Sequence, residues 1–437
     1  LHEPYRRQRQ MCIRDRYSGT MARVLAMLFI SMVVSGYYFP FSFAVLPQLN
    51  TKMALAMTGV FLVVLQGCRR HKISFSKELL GAIIFAFVFS FICFIAADYN
   101  HTDDYSYVTY FISFFTWLGG AFVVCFAIRM LHGKATLSLL TGYLTFVCVS
   151  QCILAILIDR FPAFQLLVDT YVSQGQEFFQ EVRRLYGIGA ALDPAGVRFS
   201  IVLLLIAYLL CENEDVKQAK WKVFVYLFAF FVIAVIGNMI SRTTSVGLLL
   251  GIAYLICSTG IFRLIIRRSY FRLYSILGGM LITFIILGVY LYEHDPFFYR
   301  NIRFAFEAFF NWVETGELRT DSTDKLNTVM WIWPENLKGW LIGTGLFANF
   351  VYSTDIGYCR FILYCGLIGF GTFIAFFVYN AWVFACKFPF FRLLSFFLLA
   401  LSFIIWMKVA TDLFFIYALF YCLDWQRKQE LPWEESE

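Results

Sequence analysis

The sequence predicts an all-α polytopic membrane protein, with about twelve transmembrane helices and two long outer loops. Composition and patterning predict it. Of the 437 residues, 60% are hydrophobic and 15% charged; an ordinary soluble domain is about 45–50% apolar and about 25% charged. The mean hydropathy is +0.70. The apolar residues also come in runs, many of them near the ~18 residues that read as a spanning helix.

The runs place helices near 22–39, 43–66, 79–97, 108–131, 135–158, 198–211, 221–240, 244–262, 273–292, 360–384, 391–407 and 410–424. Charge orients them. Arg69, Arg70, Lys72 and Lys77 follow the second helix, Arg129 and Lys134 the fourth, and Lys217, Lys220 and Lys222 the sixth. Arg263, Arg267, Arg268 and Arg272 follow the eighth, Lys387 and Arg392 the tenth, and Arg427 and Lys428 the last. Every second loop is positive, which marks those loops, and both termini, as cytoplasmic. Asp98, Asp103 and Asp104 fall on the opposite side. Lys408 and Asp412 interrupt the final apolar stretch. They fit an i,i+4 pair within one helix or a tight outer turn between two, and an even number of spans favours the turn.

The segment from Leu1 to Thr20 is polar and basic, with Arg6, Arg7, Arg9, Arg14 and Arg16. It resembles translated adapter read-through, so the native start is expected at Met21 and a single polytopic membrane domain at 21–437. The net charge of +7 sits in short patches between apolar runs, a topology signal and not a nucleic-acid surface. No Cys-x-x-Cys pair occurs, so neither a zinc site nor a disulfide framework is expected. Cys148 and Cys152 share a helix face and read as small packing residues.

Two connections are long: 159–197, between the fifth and sixth helices, and 293–359, between the ninth and tenth. Long connections usually carry function. In the second, Phe297, Phe298, Ile302, Phe306, Phe309, Phe310 and Val313 recur at near-helical spacing, with Arg300, Arg303, Glu307 and Glu314 on another face. That pattern is an amphipathic helix, lying at the membrane surface or packed on the bundle.

The outer side carries cations that are mostly arginine: Arg160, Arg183, Arg184, Arg198, Arg242, Arg300, Arg303, Arg319 and Arg360. The guanidinium is a planar fork that binds two phosphate oxygens at once and stays charged. The set suggests a phosphate or pyrophosphate ligand. The plainer reading is that loop arginines pair with Glu177, Glu181, Glu307 or Glu317 on solvated faces. Arg198, Arg242 and Arg360 differ, since each stands at the edge of an apolar run. A charge at mid-membrane costs roughly 2.5–3.5 kcal/mol, so such residues face a bundle interior or wet cavity, or snorkel to the headgroups.

Glycine-bearing segments surround these three. They are Gly187-Ile188-Gly189 ahead of Asp193-Pro194-Ala195-Gly196-Val197-Arg198, then Ser241-Arg242-Thr243 ahead of Gly247. Leu341-Ile342-Gly343-Thr344-Gly345 follows, then Asp355 through Arg360, then Tyr364-Cys365-Gly366-Leu367-Ile368-Gly369. Glycine permits tight turns and close approach to a ligand. In this order the segments resemble the O-antigen polymerase and O-antigen ligase superfamily of bacterial envelope glycan enzymes. Ser241-Arg242-Thr243 looks like that family's helix-start arginine, and the segments from Leu341 to Gly369 look like its closing signature. The similarity is architectural over most of the chain and sequence-level in about four short segments. Ligases of the superfamily carry a histidine near the closing signature. Here that region holds Asp355, and the loop's histidine, His294, lies far upstream, which favours a polymerase. Arg183 and Arg184 do not reproduce, with Gly196, the arginine-then-glycine spacing of some polymerases.

The resemblance implies a glycosyltransferase in the bacterial inner membrane, working at the periplasmic face. A growing glycan leaves undecaprenyl pyrophosphate and passes to a hydroxyl of the next lipid-linked unit. Pyrophosphate is already a competent leaving group, so neither metal nor cofactor is required. The site must supply cations for the leaving group, alignment and a base. Arg198, Arg242 and Arg360 are the candidate cations, and Asp193 and Asp355 the candidate bases or arginine-orienting groups. Arg184, Arg300, Arg303, Arg319, Gly343 and Gly345 are the candidate substrate contacts. Expected partners are the bilayer, the lipid-linked glycans, and flippase and chain-length regulator proteins. The alternatives are an O-antigen ligase and a lipid-linked oligosaccharide flippase. Charges at helix ends and long outer loops favour surface chemistry over transport.

Overall fold

The computed structural model describes residues 3–70, 76–175, 178–179, 184–259 and 268–428. The chain runs α1 (Glu3–Tyr38), β1 (Ser42–Phe43), β2 (Leu46–Asn50), α2 (Thr51–Arg70), α3 (Lys77–Tyr99), α4 (Tyr110–His132), α5 (Leu137–Arg160), α6 (Pro162–Tyr171) and β3 (Val172–Ser173). It continues through α7 (Leu192–Glu212), α8 (Glu214–Gln218), α9 (Lys220–Ile240), α10 (Thr244–Thr259), α11 (Arg268–His294), α12 (Pro296–Ala305), α13 (Glu307–Thr315) and α14 (Asp321–Val329). The last elements are α15 (Leu337–Leu341), α16 (Asn349–Tyr352), α17 (Gly357–Lys387), α18 (Arg392–Trp406) and α19 (Phe414–Lys428). Among the described residues, 9 helices are long and apolar enough to cross a membrane; α10 and α18 are apolar but shorter. The chain is an all-α polytopic membrane protein by these helices.

Three boundaries differ from the sequence reading. The first helix begins at Glu3, not near 22, and runs without a break through the segment expected to lie outside the domain. The second helix begins at Thr51, not near 43, because the preceding residues form strands. Pro40 and Pro47 oppose a helix there, and β1 pairs antiparallel with both β2 and β3. Thr51 Oγ1 closes this turn, donating to the Gly36 carbonyl at 2.7 Å and accepting from the Phe41 N–H at 3.2 Å. The sixth helix begins at Leu192, not 198. Pro194 sits in its first turn, where a missing N–H costs nothing. Arg198 therefore lies inside this helix and not at its edge. The final apolar stretch is two helices, α18 and α19, with a break at 407–413.

Helix α7 is the axis of the bundle. It is apolar on all sides, as a fully enclosed helix must be, and is buried almost throughout from Ala195 to Cys211. Helices α5, α9, α10 and α18 surround it. Helix α11 is the opposite case, exposing Ile282, Ile285, Ile286 and Val289. Successive long helices alternate in direction, so the connections 39–50, 100–109, 241–243, 295–356 and 407–413, with the described residues 161–175 and 184–191, gather at one end. Cross-links there agree: Tyr38 Oη donates to the Arg198 carbonyl at 2.8 Å, and Asn100 Nδ2 to the Gly343 carbonyl at 3.2 Å. At the other end Lys387 Nζ lies 2.5 Å from Asp424 and 3.6 Å from Glu78.

The amphipathic stretch after α11 is two helices broken at Phe306. The first, α12, packs on the bundle. Phe297 and Ala305 are buried, and Asn238 Nδ2 donates to the Ala305 carbonyl at 2.8 Å. The second, α13, has no buried residue.

Candidate functional site

The start of α7 meets the turn between α9 and α10 at one carboxylate. Asp193 Oδ1 accepts from Ser241 Oγ at 3.2 Å, Thr243 Oγ1 at 2.5 Å and Lys408 Nζ at 2.8 Å. Gly196 makes this approach possible. A Cβ there would lie 2.6 Å from Ser241 Oγ and 2.8 Å from Thr243 Cβ. Asp193, read from the sequence as a base or an arginine-orienting group, here holds a lysine, and one oxygen carries three donors.

Arg242 occupies the same turn and faces the 295–356 connection. Its guanidinium pairs with Glu307 at the start of α13 and donates to Ser322 Oγ of α14 at 2.6 Å. The cation lies 4.5 Å from the centre of the Phe304 ring, and Arg184 lies 4.0 Å from the same ring. Two arginines from distant segments share one aromatic contact, an arrangement favoured by the ring quadrupole. Burial and the neighbouring Arg242 pull the Arg184 guanidinium below its ordinary pKa, while Asp193 and Glu307 oppose them.

The break at 407–413 completes this end of the bundle. Trp406, buried in the core, donates its indole N–H to the Thr411 carbonyl at 2.7 Å, and Asp412 Oδ1 accepts the Phe414 N–H at 3.0 Å. These bonds fix a turn with Lys408 facing Asp193 and Asp412 within electrostatic reach of Lys52 and Arg198. Lys52 Nζ sits 4.3 Å over the Trp117 ring. Arg198 donates to the Pro194 carbonyl at 2.8 Å and lies 5.1 Å from the Phe415 ring centre. Its Nε is buried with no hydrogen-bond partner.

Arg360 forms a neighbouring cluster in the first turn of α17. Its Nε and Nη2 donate to the Phe347 carbonyl at 3.2 and 2.8 Å, and its cation lies 4.0 Å from that residue's ring centre. Asp104 holds the same segment, accepting from the Phe347 N–H at 2.6 Å and the Ala348 N–H at 3.3 Å. Burial alone would raise the Asp104 carboxyl; hydrogen bonds from Ser106, Phe347 and Ala348 outweigh it and hold the pKa below the ordinary value. Asp355 is exposed and within electrostatic reach of Arg360.

Gly343 and Gly345 are buried against backbone. The chain of α17 breaks at Gly366, which has φ 64°. The carbonyls thus freed at Leu363 and Tyr364 accept the N–H groups of Thr344 and Gly345 at 2.7 and 3.0 Å. A Cβ at Gly366 would meet the Leu341 carbonyl oxygen at 2.2 Å. The glycines bring two stretches of chain together here.

The structure thus brings Arg184, Asp193 and Arg242 together, with Arg198 one turn further along α7 and Arg360 in the adjacent cluster. It does not bring in the candidate substrate contacts Arg300, Arg303 and Arg319, nor Arg160, which pairs with Asp295. Arg300 faces Asp159 at 3.5 Å, Arg303 pairs with Glu314 at 2.6 Å, and Arg319 with Glu317 at 2.6 Å. The pairs of Arg300, Arg303 and Arg319 are solvated ones of the plainer kind. Arg183 lies outside the described residues. Cys148 and Cys152 are buried and unbridged. Among the described residues, no group of three or more His, Cys, Asp or Glu is placed to hold a metal ion.

Sequence reasoning missed Lys52, Lys408 and Asp412 as members of the site. The signal existed for the last two, because ionisable residues inside an apolar stretch point to function by default. Lys52 was hidden inside a run assigned wholly to a helix. In comparisons with protein-family models, curated proteins and solved structures, no significant match to the chain was found.

Proposed function

We propose that the protein is a metal-independent membrane polysaccharide polymerase, which moves a glycan from undecaprenyl pyrophosphate onto the next lipid-linked unit at the outer face. The observation that carries this reading is the gathering of Arg184, Arg198 and Arg242 around the start of α7, with Lys52 and Lys408 beside them. An end so rich in cations suits a doubly charged leaving group held where charge develops. Arg198 offers a buried, unpartnered Nε. Arg360, held by the Phe347 carbonyl, is the cation this reading assigns to the acceptor unit. Trp331, Trp333 and Trp340 stack in the 295–356 connection. They offer apolar faces with polar edges to a hydroxyl-rich chain.

The orientation, with this end outside and both termini cytoplasmic, follows from the basic residues at the far end. The three helices α10, α18 and α19 join the longer nine as spans, giving about twelve. The ligase alternative lacks its histidine near Asp355, and the flippase alternative has no observation of its own.

The test is reconstitution. Purified protein in vesicles, given lipid-pyrophosphate-linked repeat units and a chelator but no nucleotide sugar, should yield a ladder of longer glycans. Units that cross the bilayer without lengthening would replace this reading with transport. Transfer to lipid A in place of lengthening would make the protein a ligase.

A further inference from the structure

The cation-rich end holds a carboxylate with capacity to spare. Asp412 Oδ1 accepts the Phe414 N–H at 3.0 Å, and no other hydrogen bond reaches this carboxylate among the described residues. The groups facing it come from several elements. Lys52, at the start of α2, and Arg198, on α7, lie within electrostatic reach of it. Tyr107, in the connection into α4, and Tyr110, its first residue, are also within electrostatic reach. Lys408, four residues back in the same break, is turned away to Asp193.

We propose that Asp412, whose carboxylate accepts only the Phe414 N–H, is the general base of the transfer and takes the proton of the attacking sugar hydroxyl. This rests on the polymerase reading above. In the step, the acceptor oxygen forms its bond to the anomeric carbon as its proton passes to Asp412. The bond from that carbon to the pyrophosphate oxygen breaks, and the electron pair leaves with the pyrophosphate. Arg198 and Lys52 meet the charge that builds on it. Water takes the proton from Asp412 after the lengthened glycan moves on.

The neighbouring carboxylates are committed elsewhere. Asp193 carries three donors, including a lysine. Asp104 holds the backbone of Phe347 and Ala348. Glu307 pairs with Arg242 and accepts the Asp321 N–H at 2.9 Å. The surroundings of Asp412 also suit the task. Burial pushes its carboxyl above the ordinary carboxylate value, against the pull of the Phe414 N–H, Lys52 and Arg198. A base whose pKa is raised toward the working pH transfers protons more effectively. Only the ionised form accepts a proton, so the rate should fall as pH drops through this raised pKa.

Asp412→Asn is the decisive variant, because asparagine caps a helix start about as well as aspartate but cannot take the proton. Elongation of synthetic lipid-pyrophosphate-linked units is measured against pH, with binding of the donor lipid measured in parallel. The wild type should show one ionisation above the ordinary carboxylate range. Asp412→Asn should lose about 100-fold or more in kcat, keep donor KM within a few-fold, and lose that ionisation. Asp412→Glu, which keeps a carboxylate on a longer arm, should recover part of the rate with a displaced pH profile. Asp412→Asn active within threefold of wild type, with its pH profile intact, overturns the assignment. So does an Asp412→Glu profile identical to that of Asp412→Asn. If the wild type itself never elongates, the polymerase reading has failed. If it elongates and only these variants behave normally, the base assignment alone has failed.

Discussion

Arg242 illustrates how much a guanidinium does that a charge alone cannot. One Nη meets Glu307, the other donates to Ser322, and the plane lies against Phe304. A lysine could keep one of these contacts. Hydrogen bonds to charged groups contribute about 1.5–3 kcal/mol each, so breaking the fork should matter nearly as much as removing the side chain. Arg242→Lys should therefore fall within about threefold of Arg242→Ala, both about 10–100-fold below wild type in polymer formation. Arg303→Lys is the contrast. Its pair with Glu314 is solvent-exposed on both sides, and such pairs contribute little, so polymer length should be unchanged. Both outcomes are read by gel in a deletion strain at matched protein level. Full-length polymer from Arg242→Ala would remove the residue from the site. The sequence distinguished these two arginines by proximity to an apolar run and by the Ser241-Arg242-Thr243 segment ahead of Gly247. It could not reveal that Glu307 belongs to one and Glu314 to the other, because those pairings depend on the break at Phe306.

Among the elements, α17 shows why the glycine-bearing segments were legible as a motif but not as a role. Glycine can admit a ligand or another piece of chain, and nothing local distinguishes the two. Here the break at Gly366 exposes two carbonyls that Thr344 and Gly345 then satisfy. The 341–345 segment is thereby fastened to the helix that carries Arg360. Gly366→Ala would put a Cβ 2.2 Å from the Leu341 oxygen at a φ of 64°. Backbone strain of this kind costs about 1–3 kcal/mol before any overlap is counted. The variant should melt at a clearly lower temperature in detergent and lose polymer formation through a displaced Arg360. Gly371→Ala, on the same helix with nothing within 4 Å of the added Cβ, should melt like wild type. Equal melting temperatures for the two variants would show that the break is not needed to hold the segment.

At the scale of the whole molecule, the bilayer makes long helices legible because a spanning segment must satisfy its backbone internally and face lipid. That constraint reveals apolar runs but not which chain ends meet. The ion pair between Asp193 and Lys408 joins positions 215 residues apart, and no local pattern records it. The same constraint misplaces boundaries where apolar residues are not helical, as at Pro40 to Asn50, or where a helix starts with polar residues, as at Asp193. The architecture does make one global commitment. Because the long helices alternate, the ends bearing Arg198, Arg242, Arg360 and Asp412 lie together, and the ends bearing Arg129, Lys134, Lys217, Lys220 and Lys387 lie together opposite. Positive loops stay in the cytoplasm, so the arginine-rich end should face out. A phosphatase fused after Asp321 should be active, and a fluorescent protein fused after Lys134 or Gln218 should fluoresce. The two reporter classes need opposite compartments, so a reversed pattern cannot come from poor expression of one fusion. Phosphatase activity after Gln218 together with fluorescence after Asp321 would place the site in the cytoplasm. Chemistry on an outward-facing lipid-linked glycan would then be impossible for this chain, whatever its arginines bind.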